Sequence, residues 1–251
     1  MTTPPRTETL IASDGVRIAC DLYGEGSPRP EGGVVVLAPG FWRRRVSPVM
    51  RRLAEHLAAS GRSVLLFDFR GHGRSSGAYT FGLEEGRDFA AVLECAGRVF
   101  PEAAIRVVGF SMGGSIAMSV LAREPRAKTL VTVCAPADFA KIKVPLLKAP
   151  TALSCLSLHE VVRPPRVSLR AYLAKKPRYT DCAAQLAPVA LHVFHTRNDW
   201  LVDVGHAHLL YEAASEPKSL RIFPFEEPLH ADALLSGRFE AFCEALEGAI
   251  G

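Results

Sequence analysis

Ser111 stands in GFSMGG, Gly109 to Gly114, directly after an apolar run and directly before a helical one. A serine hydroxyl is a weak nucleophile at neutral pH, and it needs a base that a third group orients. Gly109 and Gly113 leave room for a sharp strand-to-helix turn. Such a turn lifts the hydroxyl clear of a sheet and points the backbone N–H of Met112 into the same space. A tight turn alone would also explain the glycines, so the reading depends on partners elsewhere in the chain.

His230, in FEEPLHADALL, follows the last apolar run and opens the last helical one, which suits a base. The other histidines fit less well. His192 and His195 fall within or at the edge of the strand VALHVFH, His206 and His208 ride the next helix, and His56 lies on the first. A carboxylate is expected between Ser111 and His230 in chain order. HTRNDWLVD offers Asp199, close to the strand end, and Asp203, which has the position of a helix cap ahead of Val204. Asp138, just past VTVCAP, is a rival to Asp199. An acyl-transfer oxyanion would need a second N–H besides that of Met112, and LAPGFW supplies it at Phe41, freed by Gly40.

The elements that must position these groups follow from periodicity. TETLIAS and VRIACDLY alternate around Asp14-Gly15, which predicts an antiparallel hairpin. From GVVVLAP onward, continuous apolar runs alternate with helical stretches, the signature of parallel strands buried on both faces. The result is an α/β architecture: an eight-stranded, mostly parallel sheet with an antiparallel N-terminal hairpin and helices on both faces. Residues 1–251 then form one domain. Within it, residues 138–187 break the rhythm and are expected to form a small helical lid. One closing helix is expected from about Ala231. In an open parallel sheet ligands gather beyond the carboxyl ends of the strands, where Phe41, Ser111, Asp199 and His230 all fall.

LAPGFW, DFRGHGRSSG, GFSMGG, HTRNDWLVD and PLHAD, in this order, resemble the α/β-hydrolase superfamily, and within it small bacterial serine carboxylesterases and related acyl hydrolases. The resemblance spans nearly the whole chain. It implies Ser111 as nucleophile, Asp199 as acid, His230 as base, Phe41 and Met112 as oxyanion donors, and neither metal nor organic cofactor. His72, in DFRGHGRSSG, then reads as a residue that fixes a loop. Pro39 stands where many relatives have histidine, so the support behind the oxyanion turn must differ here. The serine sets aside the aspartate chemistry of haloalkane dehalogenases. Cofactor-free perhydrolases or haloperoxidases share the triad, and some hydrolase-like plant hormone receptors bind ligand with reduced turnover, so both remain alternatives.

Composition bounds the rest. The 251 residues carry a formal net charge of +4 spread over many segments, too little for a nucleic-acid surface. MTTPPRTETL lacks the pattern of a secretory signal and no apolar run reaches the length of a membrane span, so a cytoplasmic protein without a membrane span is expected. The six cysteines are widely spaced and read as reduced thiols. A small-molecule ester is the expected partner, and a homodimer is compatible with the sequence. For substrate contacts, Trp42, Arg43 and Tyr79 lie on loops near the cleft, and Leu147 and Leu156 fall in the lid. The run Arg43-Arg44-Arg45 reads first as a solvated charge cluster, with an anionic substrate group as the sharper alternative.

Overall fold

The computed structural model of the protein describes residues 4–24, 33–142 and 162–251. β1 (Arg6–Ile11) and β2 (Arg17–Tyr23) pair antiparallel, and Gly15, at φ 81°, closes the turn between them. β3 (Val34–Ala38), β4 (Ser63–Phe67), β5 (Ile105–Phe110), β6 (Thr129–Val133), β7 (Ala190–Thr196) and β8 (Lys218–Phe223) are mutually parallel. The eight strands run in the order β1-β2-β4-β3-β5-β6-β7-β8. From β3 the chain crosses to β4 on one side and later returns to β5 on the other. The switch between β3 and β5 opens a crevice at their carboxyl ends.

Alternation within the apolar runs explains why helices cover both faces. In β3, Val34, Val36 and Ala38 enter one core, while Val35 and Leu37 enter the other. α2 (Glu85–Val99), α3 (Met112–Leu121) and α6 (Gly205–Ala213) pack on the first face. On the second lie α1 (Pro48–Ala59), α7 (Asp232–Gly237) and α8 (Phe239–Ile250). α1 buries Met50, Leu53, Ala54 and Leu57, one stripe at helical spacing. α3 is buried almost all round, so the helix that follows Ser111 is a central element of the core.

Two expectations need correction. The closing helix is broken at Arg238, whose φ of −139° separates α7 from α8 and lets Phe239 and Phe242 turn inward against the sheet. The arginine run is not solvated: Arg43, Arg44 and Arg45 are 8%, 2% and 5% exposed. Arg45 pairs with Asp21 of β2 and, at 3.4 Å, with Asp68 at the end of β4. Two carboxylates beneath the loop draw this guanidinium inward.

In the 138–187 segment, a 3-10 turn (Phe139–Lys141), α4 (Leu169–Leu173) and α5 (Tyr179–Ala184) are described, whereas Leu147 and Leu156 lie outside the described residues. α4 leaves Leu169, Tyr172 and Leu173 exposed, while Tyr179 and Ala183 of α5 join the main core. Cys20, Cys95, Cys134, Cys182 and Cys243 are free thiols. No helix among the described residues is long and apolar enough to cross a membrane.

The loop after β4 is pinned by a second buried ion pair, Arg70 to Asp88 of α2 at 2.7 Å, with side chains 5% and 0% exposed. Asp14 of the hairpin turn also accepts from Arg70, at 2.9 Å. Without Asp88 the buried guanidinium keeps only the partly exposed Asp14, and most of the compensation for its burial is lost. Asp88→Ala is therefore expected to lower unfolding free energy by about 3 kcal/mol, read from the urea denaturation midpoint.

Candidate active site

Ser111 sits between β5 and α3 with φ 49° and ψ −125°, a conformation that costs an L-residue strain and lifts its side chain out of the sheet. Neighbouring glycines make that turn sterically possible. A Cβ on Gly109 would collide with the backbone of Gly114, and one on Gly113 with the carbonyl oxygens of Ala38 and Pro39. The first turn of α3 therefore lies directly against the end of β3. Gly40 approaches from the same side, where a Cβ would stand 3.3 Å from the Cβ of Ser111. Phe41 and Met112 thus flank Ser111, and Met112, as the first residue of α3, has a backbone N–H with no intrahelical acceptor.

His230 Nε2 is 3.0 Å from Ser111 Oγ, and its Nδ1 is 2.8 Å from Asp199 Oδ2. The other carboxylate oxygen of Asp199 accepts from the backbone N–H groups of Leu201, at 2.8 Å, and Val202, at 2.9 Å. Burial opposes the charge on Asp199, but the facing His230 imidazole and these donors outweigh it and hold the carboxyl below the ordinary range. With Nδ1 protonated toward Asp199, Nε2 is an acceptor placed to take the proton of the serine hydroxyl.

The rival carboxylates are engaged elsewhere. Asp138 accepts from the N–H of Ala140 at 3.0 Å and caps a 3-10 turn. Asp203 accepts from the N–H of Gly205 at 2.8 Å at the start of α6.

Several supports had no signal in the sequence. Thr196, at the end of β7, donates its hydroxyl to the carbonyl of Leu229 and ties the His230 loop to the sheet. His195 Nε2 lies 2.8 Å from the carbonyl of Val202, clamping the loop that carries Asp199, and burial lowers its pKa. Cys134, buried and at φ 51°, has its sulfur close to Asp199 and His230: one donor atom from each lies within 4.8 Å of the others. Burial and the Asp199 charge push the thiol well above its usual value, so it stays protonated beside the carboxylate. A cation bound there would have to displace the hydrogen bond between Asp199 and His230.

The remaining candidates form one wall. Phe41 packs on Trp42, His72, Tyr79 and Phe81, with ring centroids 5.0 to 5.7 Å apart. Tyr79 is buried beneath Phe41, whereas Tyr172 of α4 meets Phe81 from the outer side at 5.3 Å. Arg43 is buried, and its N–H donates to the carbonyl of Gly40 at 3.1 Å, closing the turn. Trp42, at φ 75°, donates its backbone N–H to His72 Nε2 at 3.2 Å, while His72 Nδ1 is 3.1 Å from the carbonyl of Arg70. The neutral imidazole of His72 thereby holds the turn that Pro39 cannot support from within.

Residues 29–164 match the family model of serine aminopeptidase, S33. A monoacylglycerol lipase of Mycolicibacterium smegmatis is 34% identical over 142 residues, 55% of this chain and 49% of the relative; the match spans about half of that curated protein. Among solved structures, the Pyrococcus furiosus esterase Pf2001 superposes with a TM-score of 0.76 at 22% identity, covering 98% of this chain and 89% of its own. The α/β hydrolase GrgF from Penicillium sp. sh18 superposes with a TM-score of 0.81 at 16% identity, covering 99% and 98%. These similarities extend the shared fold over the whole chain.

Burial pushes the pKa of His72 down to about 4. Histidine in the unfolded chain titrates near ~6.5, so the unfolded state takes up the proton first as pH falls. The contribution of His72 is fully present above that value and is lost between about 6.5 and about 4. It amounts to about 3 kcal/mol at full extent. His72→Asn is expected to be less stable than wild type at neutral pH, with the gap narrowing in acid. Urea denaturation of both proteins across this interval checks it.

Proposed function

Since the chain belongs to the serine aminopeptidase S33 family of α/β-hydrolases, we propose that it is a serine hydrolase of carboxylic esters or thioesters, acting through an acyl-enzyme on Ser111. The observation that carries this reading is the continuous relay from Ser111 Oγ through His230 to Asp199, at 3.0 and 2.8 Å. His230 takes the hydroxyl proton as Oγ attacks the substrate carbonyl, and Asp199 stabilises the imidazolium so formed. The backbone N–H groups of Phe41 and Met112 receive the developing oxyanion. His230 then returns the proton to the leaving alkoxide or thiolate. In the second half, water gives its proton to His230 and attacks the acyl carbon, and Ser111 leaves with that proton restored.

The acyl group is small to medium, or aromatic. Phe41, Phe81, Phe139 and Tyr172 present contiguous rings beside the oxyanion turn, which suits a hydrocarbon chain or a phenyl group. An aminopeptide substrate would want a carboxylate there for its ammonium group. Glu85, at the start of α2, is buried and already accepts from Thr80 Oγ1 at 2.9 Å and from the N–H of Gly82 at 2.7 Å, and Glu84 beside it pairs with Arg87. The 138–187 insertion serves as the cover over the acyl chain, with Leu147 and Leu156 as its proposed apolar contacts.

Two measurements test the reading. Wild type should release p-nitrophenol from esters of graded acyl length, and Ser111→Ala should lose at least about a thousandfold in kcat. Absence of turnover by wild type, together with failure of a fluorophosphonate to label Ser111, would replace the enzyme reading with a ligand-binding one. Gly113→Ala should displace the Phe41 turn through the carbonyls of Ala38 and Pro39, lowering kcat about a hundredfold with the acyl-length preference retained. An unchanged kcat would remove that turn from the mechanism.

A further inference from the structure

Beside the oxyanion turn, on the β4 side, lies a cavity of about 570 Å³ that the ester chemistry does not use. Among the described residues five arginines line it, Arg44, Arg45, Arg74, Arg163 and Arg166, with one carboxylate, Asp68. That carboxylate is already committed: it accepts from the backbone N–H groups of Arg45, at 2.7 Å, and Arg74, at 3.0 Å, and it pairs with the Arg45 guanidinium. Arg45 is further matched by Asp21. Arg74, Arg163 and Arg166 are exposed at the rim, and none of the three pairs with a carboxylate among the described residues. Arg166 donates to the carbonyl of Ser75, which holds it over the opening.

The start of α1 adds positive potential at the same place. Ser47 and Pro48, where the twelve-residue helix α1 begins, line the cavity, and the first turn of α1 carries no acidic residue. The Ser47 hydroxyl is turned outward from the helix and accepts from the N–H of Arg44 at 3.0 Å, so it does not cap the helix itself. Pro48 has no N–H and that of Ser47 donates to the carbonyl of Arg44, so α1 contributes the positive end of its dipole, which favours an anion, and guanidinium forks match the geometry of phosphate oxygens. Like charges gathered round one concavity repel one another in the empty state, and a bound anion relieves that repulsion.

We propose that this cavity is a binding site for a compact oxyanion, a phosphate or diphosphate group. Arg74, Arg163 and Arg166 grip it from the rim and the α1 N-terminus meets it from below. The site does not depend on the hydrolase reading. The anion can be carried by the ester substrate itself or arrive as a free phosphate compound, since the loop Phe41 to Ser47 connects the oxyanion turn to the cavity floor.

Calorimetric titration with sodium pyrophosphate tests it, on wild type and on Ser111→Ala, so that failure of the enzyme reading leaves the result intact. Saturable binding is expected, weakening as sodium chloride is raised. Arg74→Gln/Arg163→Gln, two exposed side chains, should lose at least about tenfold in affinity, while Arg126→Gln, an exposed arginine elsewhere, should not. No saturable heat, or equal affinity in all variants, overturns the proposal. Turnover of p-nitrophenyl butyrate then assigns the source. Competitive inhibition by pyrophosphate places the anion on the substrate, and binding without change in KM makes it a separate ligand.

Discussion

The close approach of the α3 N-terminus to the ends of β3 and β5 governs the rest of the molecule. There is no space for a Cβ at Gly109 or Gly113, and Gly40 lies against Ser111 itself. The contact can exist only because β3 and β5 are neighbours while the chain reverses direction across the sheet between them. It places a strained serine, a helix N-terminus and the turn after β3 within one small volume. Strain of this kind persists only where the surroundings over-determine it. Here the surroundings are a helix buried almost all round and a five-residue strand with no exposed side chain.

Beyond that contact, charged groups take up a positional role. Arg45 with Asp21 and Asp68, and Arg70 with Asp88, are buried, and Arg70 also reaches the more exposed Asp14. Desolvation offsets most of the Coulombic gain of such pairs, so their consequence is geometric. The first joins the hairpin, the β4 loop and the segment leading to α1, and the second joins the hairpin turn, the β4 loop and α2. His72 completes the arrangement by accepting from Trp42. Charges that loops would ordinarily show to water have been turned inward, whereas Arg74, Arg163 and Arg166 remain exposed.

The relay is held from the opposite side by backbone. Asp199 is gripped by two N–H groups of its own loop, that loop is clamped by His195, and the His230 loop is tied to β7 through Thr196. None of these supports relies on a long flexible side chain. The acid and base therefore come from separate loops, yet His230 meets both Asp199 and a serine 119 residues away in sequence within hydrogen-bond distance.

Much of this was legible in the chain alone. Asp14-Gly15 between alternating segments, and apolar runs alternating with helical ones, specified the hairpin, the strand sequence and the parallel sheet, because periodicity is a local property of the residues. GFSMGG carried its own geometry for the same reason, since only glycine fits a turn so crowded. The choice of Asp199 over Asp138 as the partner of His230 was favoured by the strand end it follows, but the distance came from tertiary structure. So did the burial of Arg43 to Arg45: a run of three arginines reads as solvated, and only the fold brings Asp21 of β2 and Asp68 after β4 to Arg45. The break at Arg238 and the cavity ringed by arginines belong to the same class. They arise from packing between segments distant in the chain, and residue patterns along one segment hold no record of what another segment brings to meet them.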